Sequence, residues 1–308
     1  MKKRAIIISL GILALLAAIL IPLILIPRLA AGKIAVISLS GTITTGGSSL
    51  FSGSTITPDL VRNYLAKAES DRAVKAIVFR IESPGGEIEP CQDILWQIER
   101  VKETKPIVVS MGGMAASGGY YISTQAHKIV ALPTTMTGSI GVISQVINIE
   151  GFLEKLGIQI ETFKGGKYKD MYWGVRELTP EEEEIMQQMI DEYYEQFVDV
   201  VAEGRGLSRE EVRNLATGQI YTGTEAKELG LVDELGDLDT AIDLAAGLAG
   251  IEAPTVEYYY KRPGLIRRLL LGFADAIQAR ILGLSAQDMV LLEVLSHNYP
   301  QPLFLYQS

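Results

Sequence analysis

The stretch "PIVVSMGGMAASGGYYIS", residues 106–123, joins a short apolar run to a segment of small residues. The run "PIVVS" (106–110) predicts a β-strand, because short apolar runs rich in β-branched residues are typical of buried strands. Ser117 stands among the Gly and Ala residues that follow, where little side-chain bulk shields its hydroxyl. From Gly118 to about Gln125 the pattern predicts a helix. The stretch therefore predicts a strand–turn–helix connection with an accessible serine at the turn.

The same alternation of apolar runs and amphipathic segments continues on both sides of this stretch. The predicted strands lie at 33–39, 74–81, 106–110, 128–133 and 158–164, with a further extended piece at 137–147. One predicted helix begins at Thr57-Pro58, a second spans about 87–102, and a third runs from Thr179-Pro180 to about Glu203. Short strands that alternate with helices are typical of βαβ units and a largely parallel sheet. The predicted fold class is therefore α/β, in a single domain over residues 33–250.

The first 32 residues have a different character. "MKKR" precedes an uncharged, mostly apolar stretch from Ala5 to Pro27. A helix needs about 20 apolar residues to cross a bilayer, whereas the apolar region of a cleaved signal peptide has only about 7–15. A retained single-pass anchor is therefore predicted, while the small residues of "RLAAG" (28–32) leave cleavage open. The basic residues before the span predict a cytoplasmic N-terminus and a main domain outside the cell membrane.

Residues 251–308 form a third region, an amphipathic extension with a tail. Segment 262–283 mixes apolar residues with four arginines, which suits a helix that lies either on a membrane or against protein. The tail "PLFLYQS" (302–308) combines apolar and aromatic residues. One hypothesis is that this tail enters a groove of its own subunit or of a neighbouring one and competes with a ligand.

Three glycine-bearing segments come directly after predicted strands: "SPGG" (83–86), "MAASGG" (114–119) and "TGSIG" (137–141). Ligands of open α/β sheets bind beyond the carboxyl ends of strands, so these segments suit a site. A helix that begins near Ser117 directs free N–H groups at an anion, and the glycines of "SPGG" offer a second N–H donor. Each segment taken alone is also typical of a simple tight turn.

The composition excludes several kinds of chemistry. The formal net charge of −9 argues against a nucleic-acid partner. Cys91 is the only cysteine, so no intramolecular disulfide forms, and no Cys/His cluster has the spacing of a metal site. Neither a metal nor a cofactor is predicted. Ser117 placed in this way is typical of a nucleophile, yet a serine hydroxyl needs a base, and the chain has only His127 and His297.

Together, in order and spacing, these segments resemble the signal peptide peptidase SppA family of membrane-bound serine proteases. The resemblance covers about Lys33 to Gly236 and rests on "SPGG", "MAASGGYYIS", "TGSIGVI", "KGGKYKD" and "YTGTEAKELGLVDELG". It implies a ClpP/crotonase-like spiral of βαβ units and a serine–lysine dyad in place of a histidine. It also implies Ser117 as nucleophile, Ser139 as the residue that orients the lysine, and Gly85, Gly86 and Gly118 as oxyanion or substrate-binding residues.

Three lysines are candidates for the base: Lys164, Lys167 and Lys169. The family places its lysine just before an acidic residue, which the resemblance matches to Lys169 before Asp170, while spacing alone does not separate Lys169 from Lys167. A lysine at its reference pKa of about 10.4 is protonated at neutral pH, and burial lowers that pKa. We therefore expect the base in a dry pocket, with the Asp170 side chain directed away from it.

The resemblance implies an endopeptidase that degrades cleaved signal peptides and other hydrophobic or unfolded peptides at the membrane. It also implies a homo-oligomeric ring whose subunits share substrate grooves. The apolar stretch 5–27 separately predicts membrane lipid as a partner. One alternative is a catalytically inactive membrane scaffold on the same fold. Another is an acyl-CoA enzyme, which the Ser/Lys set and the anchor disfavour.

Overall fold

The computed structural model of the chain describes residues 32–46 and 54–260, and the backbone of 303–305. The strands are β1 (Lys33–Ser40), β2 (Thr42–Ile43), β3 (Thr55–Ile56), β4 (Val74–Ser83), β5 (Gly85–Glu87), β6 (Ile107–Ala116), β7 (Lys128–Ala131), β8 (Met136–Gly138), β9 (Ile220–Thr222), β10 (Glu234–Leu235), β11 (Thr255–Tyr259) and β12 (Leu303–Leu305). The helices are α1 (Pro58–Ser70), α2 (Ile88–Lys102), α3 (Gly118–Tyr121), α4 (Glu150–Lys155), α5 (Pro180–Arg205), α6 (Arg209–Leu215), α7 (Gly223–Glu228) and α8 (Leu238–Ala249).

Parallel strands form the centre of the main sheet, in the order β10-β7-β6-β4-β1-β11. At the carboxyl end of β6, β8 pairs in parallel with its last three residues, and β9 pairs antiparallel with β8. A second sheet, in the order β12-β5-β2-β3, leaves the main one where β4 ends. The α/β class and the largely parallel sheet predicted from the sequence are confirmed.

Helices cover both faces of the main sheet, which is why its strands are apolar on both sides. On one face, Val36 and Val78 pack against Ala241 and Ala245 of α8. The opposite face forms the larger core with α1, α2 and α5, whose buried side chains include Leu65, Leu95 and Phe197. A sheet held between two apolar layers is rigid enough to fix the loops at its edge.

The predicted starts of two helices, α1 and α5, are confirmed by their capping bonds. The Thr57 hydroxyl accepts from the amide of Leu60 (3.2 Å) at the start of α1. Thr179 and Glu182 form a capping box at the start of α5, each side chain accepting from the other's backbone amide. These bonds satisfy N–H groups that a helix leaves free in its first turn.

Three predicted elements differ from the structure. Residues 158–164 form no strand: Ile158 and Ile160 are half exposed, and this segment has no neighbouring strand with which to pair. Helix α3 ends at Tyr121, because the Ser123 and Thr124 hydroxyls donate to the carbonyls of Gly119 and Tyr121 and compete with the helix. The sheet also continues past residue 250, since β11 pairs with β1.

The predicted membrane span, residues 5–27, lies outside the described residues, as does segment 262–283. Within 32–46 and 54–260, no helix is both long and apolar enough to cross a bilayer.

Two helical glycines provide a matched test of how α5 packs. A methyl group added at Gly204 would lie 2.4 Å from the Thr124 carbonyl oxygen, whereas one at Gly247 in α8 would meet nothing within 4 Å. Gly204→Ala is therefore expected to destabilise the fold by about 1–3 kcal/mol through overpacking. Gly247→Ala is expected to stabilise it by up to about 1 kcal/mol, the difference in helix propensity. Thermal unfolding of both variants checks this; equal shifts would contradict the close approach of α5 to Thr124.

Candidate active site

The three glycine-bearing segments follow neighbouring parallel strands. The register pairs Ser83 of β4 with Ala115 of β6, and Ala116 of β6 with Gly138 of β8. The carboxyl ends of β4, β6 and β8 therefore lie side by side, and the segments after them meet at one edge of the sheet. This edge is where α/β sheets bind ligands.

Ser117 occupies the sharp turn between β6 and α3. Its backbone has φ 52° and ψ −118°, a conformation that favours glycine. The Ser117 amide donates to the Gly138 carbonyl (2.8 Å), and the Ser117 carbonyl accepts from the Tyr121 amide (2.8 Å). Strain of this kind costs about 1–3 kcal/mol and persists only where the surroundings enforce it. Here β8 on one side and the first turn of α3 on the other enforce it.

The hydroxyl of Ser117 is buried and has no hydrogen-bond partner among the described residues. The sequence predicted an accessible hydroxyl because the flanking residues are small, but Ser117 is only 1% exposed. The small residues around Ser117 allow neighbouring backbone segments to pack against it, which buries the hydroxyl. A Cβ on Gly119 would lie 2.9 Å from the Ser83 carbonyl oxygen, and one on Gly118 would lie 3.1 Å from the Gly86 nitrogen.

The predicted oxyanion glycines lie on the two segments that flank Ser117. Gly118 is the first residue of α3, and the first N–H groups of a helix have no partner within it. Gly86 packs directly against Gly118. The Gly85 amide instead donates to the Ser83 hydroxyl (3.1 Å) inside the "SPGG" turn. The geometry therefore favours the amides of Gly86 and Gly118 as donors over that of Gly85.

Cys91 is the other potential nucleophile near these segments. Its sulfur lies 2.6 Å from where a Cβ on Gly118 would stand. Burial raises the pKa of the Cys91 thiol well above its usual range, so the thiolate form is disfavoured. Cys91 is therefore packing beneath the glycines.

His127 lies at the wrong end of the sheet to assist Ser117. Its Nδ1 accepts from the amide of Ile107, the first residue of β6 (3.1 Å). Ser117 follows the last residue of the same strand, about 30 Å away at roughly 3.3 Å per residue. Among the described residues, no histidine is therefore available as the base, and His297 lies outside them.

Two of the three candidate lysines are paired with carboxylates. The Lys164 ammonium lies 2.5 Å from Asp170 Oδ1. Lys167 is bound by Glu181, and this hydrogen bond raises the pKa of Lys167. Lys169 makes no side-chain hydrogen bond or ion pair with any described residue. Of the three, Lys169 is thus the one whose amine is not bound by a carboxylate.

Lys169 is not in the dry pocket that we expected. In the single chain it is exposed, and no hydrogen bond joins it to Ser117. The reason is that segment 141–179, which carries it, packs little of itself on the domain: only Asp170, Met171 and Gly174 are buried there. The Asp170 side chain points to Lys164 and Arg176, not to Lys169.

Ser139 also stands next to Ser117 in the register of the strands. It directly follows Gly138, is 7% exposed and has a positive φ of 49°. Its amide donates to the Gln219 carbonyl (2.7 Å), while its hydroxyl makes no hydrogen bond within the described residues. The hydroxyl is therefore available to a neighbouring group.

The backbone of the tail pairs with the edge of this site. β12 runs antiparallel to β5, with Leu303 opposite Glu87, Phe304 opposite Gly86 and Leu305 opposite Gly85. An extended segment thus binds alongside the glycine that also packs against Gly118.

The sequence analysis missed two residues of this region. Ser83 holds the "SPGG" turn, and its place two residues before Gly85 is the local signal of such a turn. Arg176 binds both Asp170 and Glu182, and nothing in the sequence pattern indicated that contact. Within the described residues, no group of three or more His, Cys, Asp or Glu side chains is arranged to hold a metal ion.

Comparison with known proteins identifies the family of the chain. Residues 99–252 match the profile of peptidase family S49. The putative protease slr0021 of Synechocystis sp. is 39% identical over 278 residues, which cover 89% of this chain and 96% of that protein. The chain belongs to peptidase family S49. This S49 peptidase is therefore a serine peptidase, in agreement with the SppA resemblance.

Longer relatives match over part of their length. The putative signal peptide peptidase SppA of Enterococcus faecium is 40% identical over 213 residues, 68% of this chain and 62% of that protein. Protease 4 of Salmonella typhi is 36% identical over 251 residues, 81% of this chain and 40% of that protein. The S49 peptidase thus spans less than half the length of protease 4.

A solved structure shares the fold. The 1510-N membrane-bound stomatin-specific protease, solved as a variant in complex with a substrate peptide, aligns with a TM-score of 0.50 at 19% identity. The alignment covers 80% of the S49 peptidase and all of that chain. At this identity the likeness establishes the mixed α/β fold alone.

The strain at Ser117 predicts a difference in stability between two variants. Ser117→Gly removes the side chain that disfavours φ 52°, whereas Ser117→Ala keeps a Cβ there. We expect Ser117→Gly to be more stable to thermal unfolding than Ser117→Ala by about 1 kcal/mol, despite the greater backbone freedom of glycine. If Ser117→Ala proves the more stable of the two, the turn is not strained.

Proposed function

We propose that this S49 peptidase hydrolyses peptide bonds with a Ser117–Lys169 dyad. The observation that carries the proposal is the turn at Ser117, which holds an unpartnered hydroxyl beside Gly86 and Gly118 at the carboxyl edge of the sheet. A serine nucleophile needs a base, and His127 lies at the other end of β6. A lysine without a carboxylate partner fits the role.

The proposed reaction has two halves. Neutral Lys169 accepts the Ser117 proton as the hydroxyl oxygen attacks the peptide carbonyl carbon, and the Gly86 and Gly118 amides donate to the resulting oxyanion. One such donor is typically worth about 3–4 kcal/mol of the barrier. Lys169 then protonates the leaving amine, and a water that it deprotonates releases the acyl group from Ser117. Ser139 orients the lysine amine through its hydroxyl.

The pairing pattern of the lysines supports Lys169 as the base. The Lys164 amine is occupied by Asp170 and the Lys167 amine by Glu181, and the Glu181 hydrogen bond raises the pKa of Lys167, which disfavours both as the base. Lys169 has no such partner among the described residues. What it lacks in the single chain is burial.

Association with a second copy supplies that burial in our proposal. Segment 141–179 leaves large apolar side chains in solvent, with Phe152 62%, Phe163 92% and Trp173 68% exposed. Clustered exposed apolar side chains of this kind are typical of interaction surfaces. A second copy that packs on the segment removes Lys169 from water, which favours its neutral form. This agrees with the homo-oligomeric ring that the resemblance implies.

The edge of β5 suits an extended peptide as substrate. β12 shows that an antiparallel strand fits there, and main-chain pairing of this kind binds peptides with little dependence on sequence. With the span predicted at 5–27, we propose that the substrates are remnant signal peptides and other hydrophobic or unfolded peptides at the cell membrane. The peptidase domain then lies on the extracytoplasmic side.

Turnover of a hydrophobic fluorogenic peptide by the full chain tests the dyad. Ser117→Ala and Lys169→Ala are each expected to lower kcat by about 10⁴-fold or more, because they remove the nucleophile and its base. Lys167→Ala is the matched control and is expected to keep most of the parent activity, whereas Lys164→Ala, which removes a cation from Asp170, is expected to lose far less activity than Lys169→Ala.

Each other outcome has a distinct meaning. If Lys167→Ala is inactive and Lys169→Ala active, the base lies two residues earlier. If all three lysine variants turn over like the parent, the dyad is wrong. Mixing inactive Ser117→Ala with inactive Lys169→Ala tests the assembly: recovered activity shows that the lysine of one copy serves the serine of another.

The pairing of β12 with β5 predicts competition between the tail and substrate. Deletion of residues 302–308 is expected to lower KM for a hydrophobic peptide and to leave kcat nearly unchanged, because the deletion frees the β5 edge without touching Ser117. Steady-state kinetics of the parent and the deletion variant provide the comparison. An unchanged KM would show that the tail does not occupy the substrate position.

A further inference from the structure

Arg176 is the centre of a charge cluster beside the lysine-bearing segment. Its Nε and Nη2 atoms donate to the two oxygens of Asp170 (3.0 and 2.8 Å). Its Nη1 and Nη2 atoms donate to the two oxygens of Glu182 (2.8 and 2.6 Å). Lys164 adds a second cation on Asp170. The cluster therefore contains two positive and two negative side chains.

The cluster joins the segment to a fixed point of the fold. Glu182 is 2% exposed and belongs to the capping box of α5, where it accepts from the Thr179 amide (2.9 Å). Asp170, which follows Lys169 directly, is 7% exposed in a segment whose other residues are mostly in solvent. Arg176 thus connects the residue next to Lys169 to the first turn of a long helix.

The hydrogen bonds from Arg176 also keep the Asp170 and Glu182 side chains in the charged carboxylate form, with a positive charge beside them. Hydrogen bonds from Arg176 lower the pKa of Asp170 well below its usual range and that of Glu182 to about 2. The carboxylate that follows Lys169 in the chain is therefore charged at any pH near neutrality, and its hydrogen bonds go to Arg176 and Lys164.

We propose that Arg176 is a positioning residue for Lys169. It anchors the segment that carries the base to the start of α5, and it neutralises the adjacent carboxylate so that Lys169 can exist as the free amine. The inference rests on the proposed function, and nothing in it requires Arg176 to touch the substrate.

The other charged groups of the region stay constant in the test. From α5, Glu181 binds Lys167 and Tyr168. From α4, Glu150 accepts from the Glu177 amide (3.1 Å). Arg176 also donates to the Glu177 carbonyl (2.8 Å), an uncharged acceptor, so the carboxylates that it pairs with directly are those of Asp170 and Glu182.

The test is to measure how kcat/KM depends on pH in variants that change the charge of the cluster. Arg176→Gln leaves one excess negative charge, which favours the ammonium form of the base. The midpoint of the rising limb is expected to move up by about one pH unit, so that kcat/KM at pH 7 falls about tenfold. Asp170→Asn leaves one excess positive charge and is expected to move the midpoint down. The double variant Arg176→Gln/Asp170→Asn is expected to return it to the parent value.

Arg176→Lys separates charge from geometry. It keeps the positive charge but loses the planar fork that binds two carboxylates at once. For Arg176→Lys we expect a lower kcat, while the midpoint of the pH profile stays at the parent value. The matched control is Arg213→Gln, which removes a similar two-bond contact with Glu195 far along α5 and is expected to leave the profile unchanged.

If Arg176 acts through charge, the midpoint shifts in opposite directions in Arg176→Gln and Asp170→Asn. If its role is only structural, both variants lose activity and the midpoint stays at the parent value. An unchanged midpoint in Arg176→Gln, with Lys169→Ala inactive, overturns the inference and leaves the dyad in place. A Lys169→Ala variant with parent activity overturns both.

Discussion

The close approach of three backbone segments around Ser117 is the constraint on which the rest of the site depends. Gly118 packs on Gly86, Gly119 on the Ser83 carbonyl, and the Ser117 amide on the Gly138 carbonyl. Side chains at the glycine positions would separate the segments. Because no side chains intervene, the backbone segments meet directly at the site that we propose for the oxyanion, and the strain at Ser117 is offset by bonds on both sides.

The parallel sheet is what brings those segments together. β4, β6 and β8 are far apart in sequence, yet their registers end at neighbouring positions. The two apolar layers on the faces of the sheet fix those strand ends, so the turn geometry follows from core packing. Ser117 thus lies at the end of a strand that is packed on both faces.

The lysine region is built in the opposite way. Segment 141–179 contributes few residues to the core, and its order comes from polar contacts, above all those of Asp170, Arg176 and Glu182. Such contacts fix a position while leaving the apolar side chains of the segment free for another surface. In the mechanism that we propose, the nucleophile lies on the packed sheet and the base on this segment, so that activity would depend on assembly.

The sequence by itself determined the α/β class, the capped helix starts and the serine at a strand end, because periodicity, capping residues and glycine spacing are local signals. It also indicated a lysine in place of a histidine, through the resemblance to SppA proteases. It did not determine the burial of Ser117, since small residues fit an open turn and a closed one equally well. Nor did it predict that residues 158–164 lack a partner strand, or that Arg176 reaches both Asp170 and Glu182. Those properties depend on which segments meet in three dimensions, and contacts between distant segments leave no periodic trace in the chain.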